Sequence, residues 1–333
     1  MNTAATPTEV DTAPVNAPFP YDDKAQADLI LQTSDNFNFF VYKLLLSLVS
    51  PVFKDMFTLP QPVSHTLPDS HPVIPVEENS DTLNRLLSWC DPRVSPITGT
   101  LEEIQVVLEV ADKYCMESVT KRVGEMLAFG VNDLCPAGSG SVRLYAIGIR
   151  YSMATLAHKA ARCSLAAKWE DLMAEDVPEL AYIPGSALHR LQRYRLACGA
   201  AAKKVALDWN WVALTAPGAA TGVVSECVLC ANGVPPRHWS KWWVQYMDVA
   251  AEELYRNPSG STVTPELAMV SLSHLGSCQD CGRTVGETYR ALVKFNKAFV
   301  KEIERVVDEV LFLRFHVFVL DLDLLQVPAV AMT

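Results

Sequence analysis

The sequence lacks any run of apolar residues that is long enough and free enough of charge to cross a bilayer. The nearest candidate, residues 306–325, is interrupted by four acidic residues, one arginine and one histidine. The first twenty residues contain no basic residue and no apolar core, so they do not resemble a secretory signal. We therefore expect an intracellular, soluble chain that does not engage a membrane, with a disordered tail over residues 1–20.

Positive charge is also scarce. The 28 Lys and Arg residues are outnumbered by 38 Asp and Glu residues, the formal net charge is −10, and no Lys/Arg-rich run occurs. Because such a chain repels a phosphate backbone, we expect no direct nucleic-acid binding.

The common sequence signatures of catalysis are missing as well. There is no Gly-x-Gly-x-x-Gly, no P-loop, no Gly-x-Ser-x-Gly and no His-Glu-x-x-His, and the seven histidines form no cluster. Adjacent glutamates occur at 77–78, 102–103 and 252–253, but side chains next to each other on a helix point in different directions. We therefore interpret these glutamates as parts of solvent-exposed helix surfaces. The sequence therefore predicts that the protein is not an enzyme, and no residue is assigned a catalytic role.

Apolar residues are abundant: they make up 50% of the 333 residues, which is enough for a sizeable core. This length exceeds one typical domain and predicts two domains, or one domain with a large extension. The nine cysteines are an odd number in a chain for which we expect no export, so a disulfide framework is not predicted.

A strand–turn–strand pattern begins the first predicted domain. Asp28–Thr33, a polar turn at 34–36 and Phe37–Val41 together predict a β-hairpin. The leucine-rich segment Lys43–Val49 predicts a buried helix. Ser50-Pro51 then predicts the N-cap and first residue of a second helix. The apolar face of that helix contains Val52, Phe53, Met56 and Phe57.

Further elements are predicted as far as residue 129. His71–Val76 predicts a short strand, and Asn79–Cys90 predicts a helix that is capped by Ser80. Two more helices are expected at Leu101–Cys115, which is strongly amphipathic, and at Met116–Phe129. The first domain is therefore predicted to be of the α+β class, with a small sheet and several helices.

This ordered set of elements resembles the BTB/POZ family. The resemblance rests on Asp28–Leu31, Phe40–Leu46 and Ser50–Phe57, where the family has a hairpin, a helix that opens with His-Lys, and a Ser-x-x-Phe motif. Tyr42 stands at the position of the usual histidine, and an aromatic ring with a polar tip suits a similar half-buried site. The combination of Met-Phe-x-Leu-Pro with Lys-Tyr-x-Met-Glu is similar to a large group of fungal, basidiomycete-like BTB proteins.

The resemblance implies a BTB/POZ-like domain at residues 21–130 that binds protein partners, either by homodimerisation or by recruiting other proteins. A substrate adaptor of a cullin-3 ubiquitin ligase is an alternative. Cullin-binding members usually carry an apolar-x-Glu motif before the third strand. No glutamate occurs between Phe57 and His71, which counts against cullin-3 as a partner.

The rest of the chain is predicted to be mostly α-helical, beginning with a helical extension at 131–214. Lys113–Val119 resembles Arg150–Leu156 at an offset of 37 residues, which indicates a repeated helix-turn-helix. Asp176 and Ser186 are expected to cap later helices. The expected helices are 156–168, 171–175 and 186–207, and a loop at 215–222 marks a subdomain boundary.

Two Cys-x-x-Cys pairs lie in the region 223–314. The first pair is Cys227 and Cys230, the second is Cys278 and Cys281, and 47 residues separate them. Each pair places two thiolates on one turn, and four thiolates complete a tetrahedral site for Zn²⁺. We expect a structural zinc ion there, with no open coordination position for catalysis.

Other interpretations of these pairs stay open. The four cysteines could be buried in a core, or they could belong to a redox site or to a ligand set with His238 or His274. A transcriptional regulator or a cryptic enzyme that uses this region is a further functional hypothesis. The remaining cysteines are predicted to lie mostly in the core: Cys90, Cys115, Cys135, Cys163 and Cys198.

The last part of the region contains a tryptophan cluster and a long helix. Trp239, Trp242 and Trp243 are expected to pack inside the protein rather than to form a binding platform. From Val285 a heptad seam runs to Leu313 with the polar Asn296 inside it, which allows a coiled coil or, because the apolar stripe is wide, a core helix. A C-terminal tail is expected at 315–333, with its apolar part ambiguous between strand and helix.

Overall fold

The computed structural model describes residues 13–58, 71–208, 210–211, 241–264, 266–267 and 285–323. The chain divides after Met126 into two compact units. The N-terminal unit combines a small sheet with helices and the C-terminal unit is helical, so the predicted fold class is confirmed. Within the described residues, no helix has the length and apolarity that a membrane span requires.

A four-stranded mixed sheet forms the centre of the N-terminal unit. Its strands lie in the order β1-β3-β2-β4. β2 and β3 are antiparallel, with Leu29 opposite Val41, which confirms the predicted hairpin. β1 runs parallel to β3 and β4 runs parallel to β2. The strands are β1 (Val15–Asn16), β2 (Leu29–Gln32), β3 (Phe37–Val41) and β4 (Val73–Pro75).

The first strand corrects the predicted tail over residues 1–20. Residues 1–12 lie outside the described part, but Val15 and Asn16 pair with Phe37 and Asn38 of β3. The amide of Ala17 continues this pairing with a hydrogen bond of 2.9 Å to the Asn38 carbonyl. Two residues are too few to show a strand periodicity in the sequence, and the strand forms because the edge of β3 offers free backbone groups.

Five α-helices are described in the N-terminal unit, and the last of them, α5, continues a few residues beyond Met126. The Ser50 hydroxyl accepts a hydrogen bond from the Phe53 amide at 3.1 Å, which confirms the predicted cap of α2. The cap of α3 is Asn79, which bonds the Thr82 amide, rather than the predicted Ser80. The helices are α1 (Lys43–Val49), α2 (Pro51–Thr58), α3 (Ser80–Cys90), α4 (Leu101–Lys113) and α5 (Glu117–Phe129).

Seven further α-helices are described in the C-terminal unit. α8 ends at Cys163, short of the predicted 168, and α10 begins at Gly185, so that Ser186 lies inside it instead of capping it. Asp176 caps no described helix, because α9 has already ended at Ala174. The helices are α6 (Val131–Leu134), α7 (Ser141–Arg150), α8 (Ala154–Cys163), α9 (Trp169–Ala174), α10 (Gly185–Leu207), α11 (Lys241–Arg256) and α12 (Val285–Asp323).

The predicted sequence repeat corresponds to one turn geometry used twice. Cys115 and Ser152 both have a left-handed backbone, with φ of 52° and 55°. In each turn the next residue, a methionine, bonds the carbonyl five residues before it at 2.7 Å, and the left-handed residue bonds the carbonyl three before it. This pair of bonds is a Schellman motif, which ends α4 and α7 and starts the following helix. The repeated helix-turn-helix is confirmed.

The packed aromatic side chains of α11 and α12 form the core of the second half of the C-terminal unit. Trp243 meets Phe295 at a centroid distance of 4.7 Å, and both are fully buried. Trp242 is buried too, so the prediction that the tryptophans pack inside the protein is confirmed for Trp242 and Trp243. Trp239 lies outside the described residues, and so does the expected loop at 215–222. α12 is therefore a core helix, and it continues as a helix to Asp323 instead of ending before the predicted tail.

Candidate interaction surface

The helix α1 is fixed to the sheet by its backbone. The Lys43 amide donates a hydrogen bond of 2.7 Å to the carboxylate of Asp28, beside the start of β2. At the other end, the Ser50 amide bonds the Leu46 carbonyl at 2.9 Å, and Pro51 begins α2. Because both ends are held, the direction in which each leucine of α1 points is determined by the fold.

The leucines of α1 do not share one environment. Leu46 is completely buried against the unit's core, whereas Leu44 is 70% exposed and Leu48 is 75% exposed. Residues four apart lie on the same side of a helix, so Leu44 and Leu48 form one exposed apolar stripe. The prediction of a buried helix is therefore wrong for half of its surface, and we call this stripe the α1 face.

The helix that carries the α1 face holds little charge of its own. Lys43, its first residue, is its only charged residue, and the Ser47 hydroxyl donates a 2.7 Å hydrogen bond to the Lys43 carbonyl. Leu45 and Val49 of the same helix and Val52 of α2 are half-buried and add apolar surface. Scattered single apolar residues on a surface are normal, but an apolar stripe on a helix without acidic residues suits contact with another protein.

Tyr42, the residue that replaces the family's histidine, lies half-buried at the start of α1. The guanidinium of Arg93 lies 5.3 Å from the centre of its ring. That guanidinium also forms an ion pair of 2.7 Å with the buried Asp91. Burial would raise the pKa of Asp91, but hydrogen bonds from Arg93 hold it below its ordinary value. Tyr42 therefore packs under a cation, which is a structural role that a histidine would fill less well.

The four predicted zinc ligands lie outside the described residues. Cys227, Cys230, Cys278 and Cys281 are among them, and so are the alternative ligands His238 and His274. Across the part of the chain that is described, no group of three or more His, Cys, Asp or Glu side chains could hold a metal ion. The zinc site therefore stays a prediction.

The other five cysteines differ in their surroundings. Cys90, Cys135 and Cys198 are buried, as predicted, whereas Cys163 is half-buried and Cys115 is exposed in its left-handed turn. The amphipathic pattern of α4 did not reveal the exposure of Cys115, because the helix ends at Lys113 and the turn rotates the following residue outwards.

Cys135 and Cys163 are the cysteines that the fold brings together. The Cys163 thiol donates a hydrogen bond of 3.2 Å to the carbonyl oxygen of Cys135. They are 28 residues apart and belong to no motif, so sequence reasoning missed the pair. A cavity of about 630 Å³ reaches both sulfur-bearing residues.

The N-terminal unit thus has the features of a protein-interaction domain: a small sheet, covering helices and one uncharged apolar helix face. Residues 20–129, about a third of the chain, match the BTB/POZ domain family. The chain therefore contains a BTB/POZ domain, a fold that generally mediates protein–protein interaction. No curated protein matches the chain. The similarity to fungal members of the family stays a prediction.

Proposed function

We propose that this BTB/POZ domain binds a second copy of the same chain through the α1 face, and that the protein acts by this association inside the cell rather than by catalysis. The observation that carries the proposal is the exposure of Leu44 and Leu48, at 70% and 75%, on adjacent turns of one helix. Among the described helix residues up to Met126, no other large apolar side chain is as exposed, the next being Val106 at 42%.

The charge of the chain favours a second copy meeting at this surface. Two copies each carry a formal net charge of −10 and repel one another at long range. A two-fold symmetric interface brings identical patches together, so any charge in the patch would face its own sign. The α1 face has no acidic residue and a single lysine at its end, and it therefore avoids this cost.

The energies are of the size that an association requires. Full burial of one leucine contributes about 1.5–3 kcal/mol, and a symmetric interface buries four leucines. Loss of translational and rotational freedom costs at least about 4 kcal/mol. The four leucines together contribute about 6–12 kcal/mol, which exceeds this minimum, but the cost can reach about 15 kcal/mol, so the half-buried apolar residues beside them must also contribute to a stable dimer.

Capture between two differently tagged copies of the full chain tests the proposal. We expect the wild type to capture the copy that carries the other tag, and the L44E/L48E variant to capture none, because four carboxylates would face each other in the interface. V106E is the matched control, since it places the same charge on an exposed apolar position of α4. Loss of capture by V106E, or retained capture by L44E/L48E, would contradict the proposal.

The same capture assay with purified cullin-3 separates the adaptor role from dimerisation. We expect no cullin-3 on the tagged chain. Capture of cullin-3 without capture of a second copy would replace the proposed function with that of a ubiquitin-ligase adaptor.

We also propose a structural zinc ion bound by Cys227, Cys230, Cys278 and Cys281. Thiolates at this spacing are the donor set that zinc prefers in structural sites. The helices that follow the two pairs support the idea, because both pack on α10 and their side chains meet, with Trp243 against Phe295 and Tyr246 bonded to Asn296. A zinc site between the two pairs would tie together the chain segments that lead into these helices.

A further inference from the structure

The cavity that reaches Cys135 and Cys163 lies within the C-terminal unit. Its volume is about 630 Å³, and it is open on one side to solvent. Besides the two cysteines, it is lined by Lys159, Arg162, Glu304 and Asp308 among other residues. The cavity therefore gives a small polar molecule access to the thiol pair.

The two thiols are held together by the backbone around them. Cys135 follows α6 and Cys163 is the last residue of α8. Between them stands Gly138, whose φ is +91°; a Cβ atom there would lie 2.9 Å from Ala167 Cβ and 3.1 Å from the Cys163 carbonyl oxygen. Because only glycine suits this approach, the segment after Cys135 can close tightly on the end of α8.

The two cysteines have different acidities. The pKa of Cys163 is lowered, chiefly by a hydrogen bond from the Cys135 thiol and further by the Gly138 amide and the Arg162 guanidinium, while burial opposes the shift. The pKa of Cys135 is raised by the same hydrogen bond, by burial and by the charges of Cys163 and Glu175. Exposure separates the two thiols in the same sense, because Cys163 is half-buried whereas Cys135 is buried.

Other charged groups around the cavity are already paired. Arg162 forms ion pairs with Glu304 and with Asp308, the latter at 3.1 Å. The Lys159 ammonium donates a 2.9 Å hydrogen bond to the Ala128 carbonyl. These contacts fix the cations beside the thiols, and the cavity has no cluster of three metal-ligating side chains.

We propose that Cys163 and Cys135 form a reversible thiol–disulfide site, in which Cys163 is the peroxide-reactive thiol and Cys135 is the resolving thiol. The oxidant is hydrogen peroxide or another small hydroperoxide that enters the cavity. The proposed site uses neither the residues of the α1 face, which belongs to the other unit, nor the predicted zinc ligands.

The reaction balances in two steps. The Cys163 thiolate attacks one peroxide oxygen, the O–O bond breaks, and Cys163 becomes a sulfenic acid while hydroxide leaves. The Cys135 sulfur then attacks the sulfenic sulfur, an S–S bond forms, and the hydroxyl leaves with the Cys135 proton as water. Two thiols are oxidised and one peroxide is reduced to water. A dithiol reductant reverses the change by thiol–disulfide exchange.

Peptide mapping of the full-length protein tests this site. The protein is treated with a small excess of hydrogen peroxide, remaining thiols are alkylated, and the non-reduced tryptic digest is examined by mass spectrometry. The expected product links peptide 123–143, which contains Cys135, to peptide 163–168, which contains Cys163. The exposed Cys115, in peptide 114–121, is the internal control and is expected to remain alkylated.

Two variants distinguish the roles of the thiols. In C135S, Cys163 is expected to accumulate as a sulfenic acid that dimedone labels, because nothing resolves it. In C163S, Cys135 is expected to stay reduced. The proposal is overturned if the wild type still has both thiols reduced at a peroxide dose that already oxidises Cys115. It is also overturned if dimedone labels Cys135 in C163S as strongly as it labels Cys163 in C135S. The wild-type mapping decides the question even where a variant does not fold.

Discussion

The Tyr246 hydroxyl donates a hydrogen bond of 2.8 Å to the side-chain oxygen of Asn296, in the buried contact between α11 and α12. Asn296 is the polar residue that interrupts the heptad seam of α12. A polar residue in such a seam can select a partner helix in a coiled coil. Here its partner is a residue of the same chain, so this part of α12 packs within its own unit.

Removing the Tyr246 hydroxyl is expected to destabilise the C-terminal unit. In Y246F the side-chain oxygen of Asn296 stays buried without this donor, which costs about 1–3 kcal/mol of unfolding free energy. The Asn296 amide nitrogen already has no hydrogen-bond partner among the described residues. The N296L substitution in the Y246F background should therefore restore part of the loss.

Urea denaturation followed by tryptophan fluorescence measures both changes, since six of the seven tryptophans lie beyond Met126. A Y246F protein as stable as the wild type would show that the hydrogen bond contributes nothing to the core.

Glycine in the repeated turn is expected to stabilise the protein. The left-handed backbone at Cys115 and Ser152 lowers the unfolding free energy by about 1–2 kcal/mol for a residue that has a Cβ atom. Glycine has no Cβ atom and avoids this strain, although it loses somewhat more backbone entropy on folding. C115G and S152G should each raise the unfolding free energy by up to about 1 kcal/mol, whereas C115V should lower it, because a branched side chain fits this region poorly.

The matched control for the turn is D112G, one turn earlier in α4. Glycine inside a helix costs about 1 kcal/mol, so this variant should lose stability. Thermal melts of the full chain compare the four variants. A loss of stability in both C115G and S152G would contradict the account of the turn.

Zinc is expected to co-purify with the protein at one ion per chain, measured by elemental analysis. C278S should lose the metal, and a strong chelator should lower the helical circular dichroism of the wild type, because metal-binding energy in structural sites is folding energy. C198S is the control, since Cys198 is buried in α10 and is no candidate ligand. A purified protein that contains no zinc and whose circular dichroism does not change with the chelator would contradict the predicted zinc site.

The alkylation of Cys163 is expected to follow an unusual pH profile. The thiolate is the nucleophile, so its rate of reaction with iodoacetamide should rise with pH and reach half of its maximum below the ordinary thiol pKa of about 8.5, because the pKa of this thiol is lowered. Removing the Cys135 thiol in C135A should move the midpoint upwards, because alanine has no hydrogen bond to donate, whereas serine would still donate one. Mass spectrometry of peptide 163–168 follows the reaction; a midpoint near the ordinary value of about 8.5 in both proteins would contradict this.

Much of the fold could be predicted because its signals are local. The hairpin follows from two apolar runs around a polar turn, and the start of α2 follows from Ser50 and Pro51, which act within one turn of the backbone. The repeat of basic-Tyr-small-Met marks a turn whose hydrogen bonds join residues at most five apart. Such features need no knowledge of the rest of the chain.

The functional surface could not be predicted in the same way. The leucines of α1 look alike in the sequence, and only packing decides that Leu46 is covered while Leu44 and Leu48 are not. The meeting of Cys135 with Cys163 likewise depends on Gly138 and on the end of α8. Both are consequences of tertiary contacts, which single-residue patterns do not contain.

The central claim is that the α1 face joins two copies, and sedimentation equilibrium of the full chain at several salt concentrations tests it most directly. The wild type should have twice the 36.7 kDa of one chain, and association should tighten as salt screens the repulsion between two acidic copies. The L44E/L48E variant should remain at 36.7 kDa. A wild type that stays monomeric at every concentration and salt, or a variant that still forms dimers, would contradict the account.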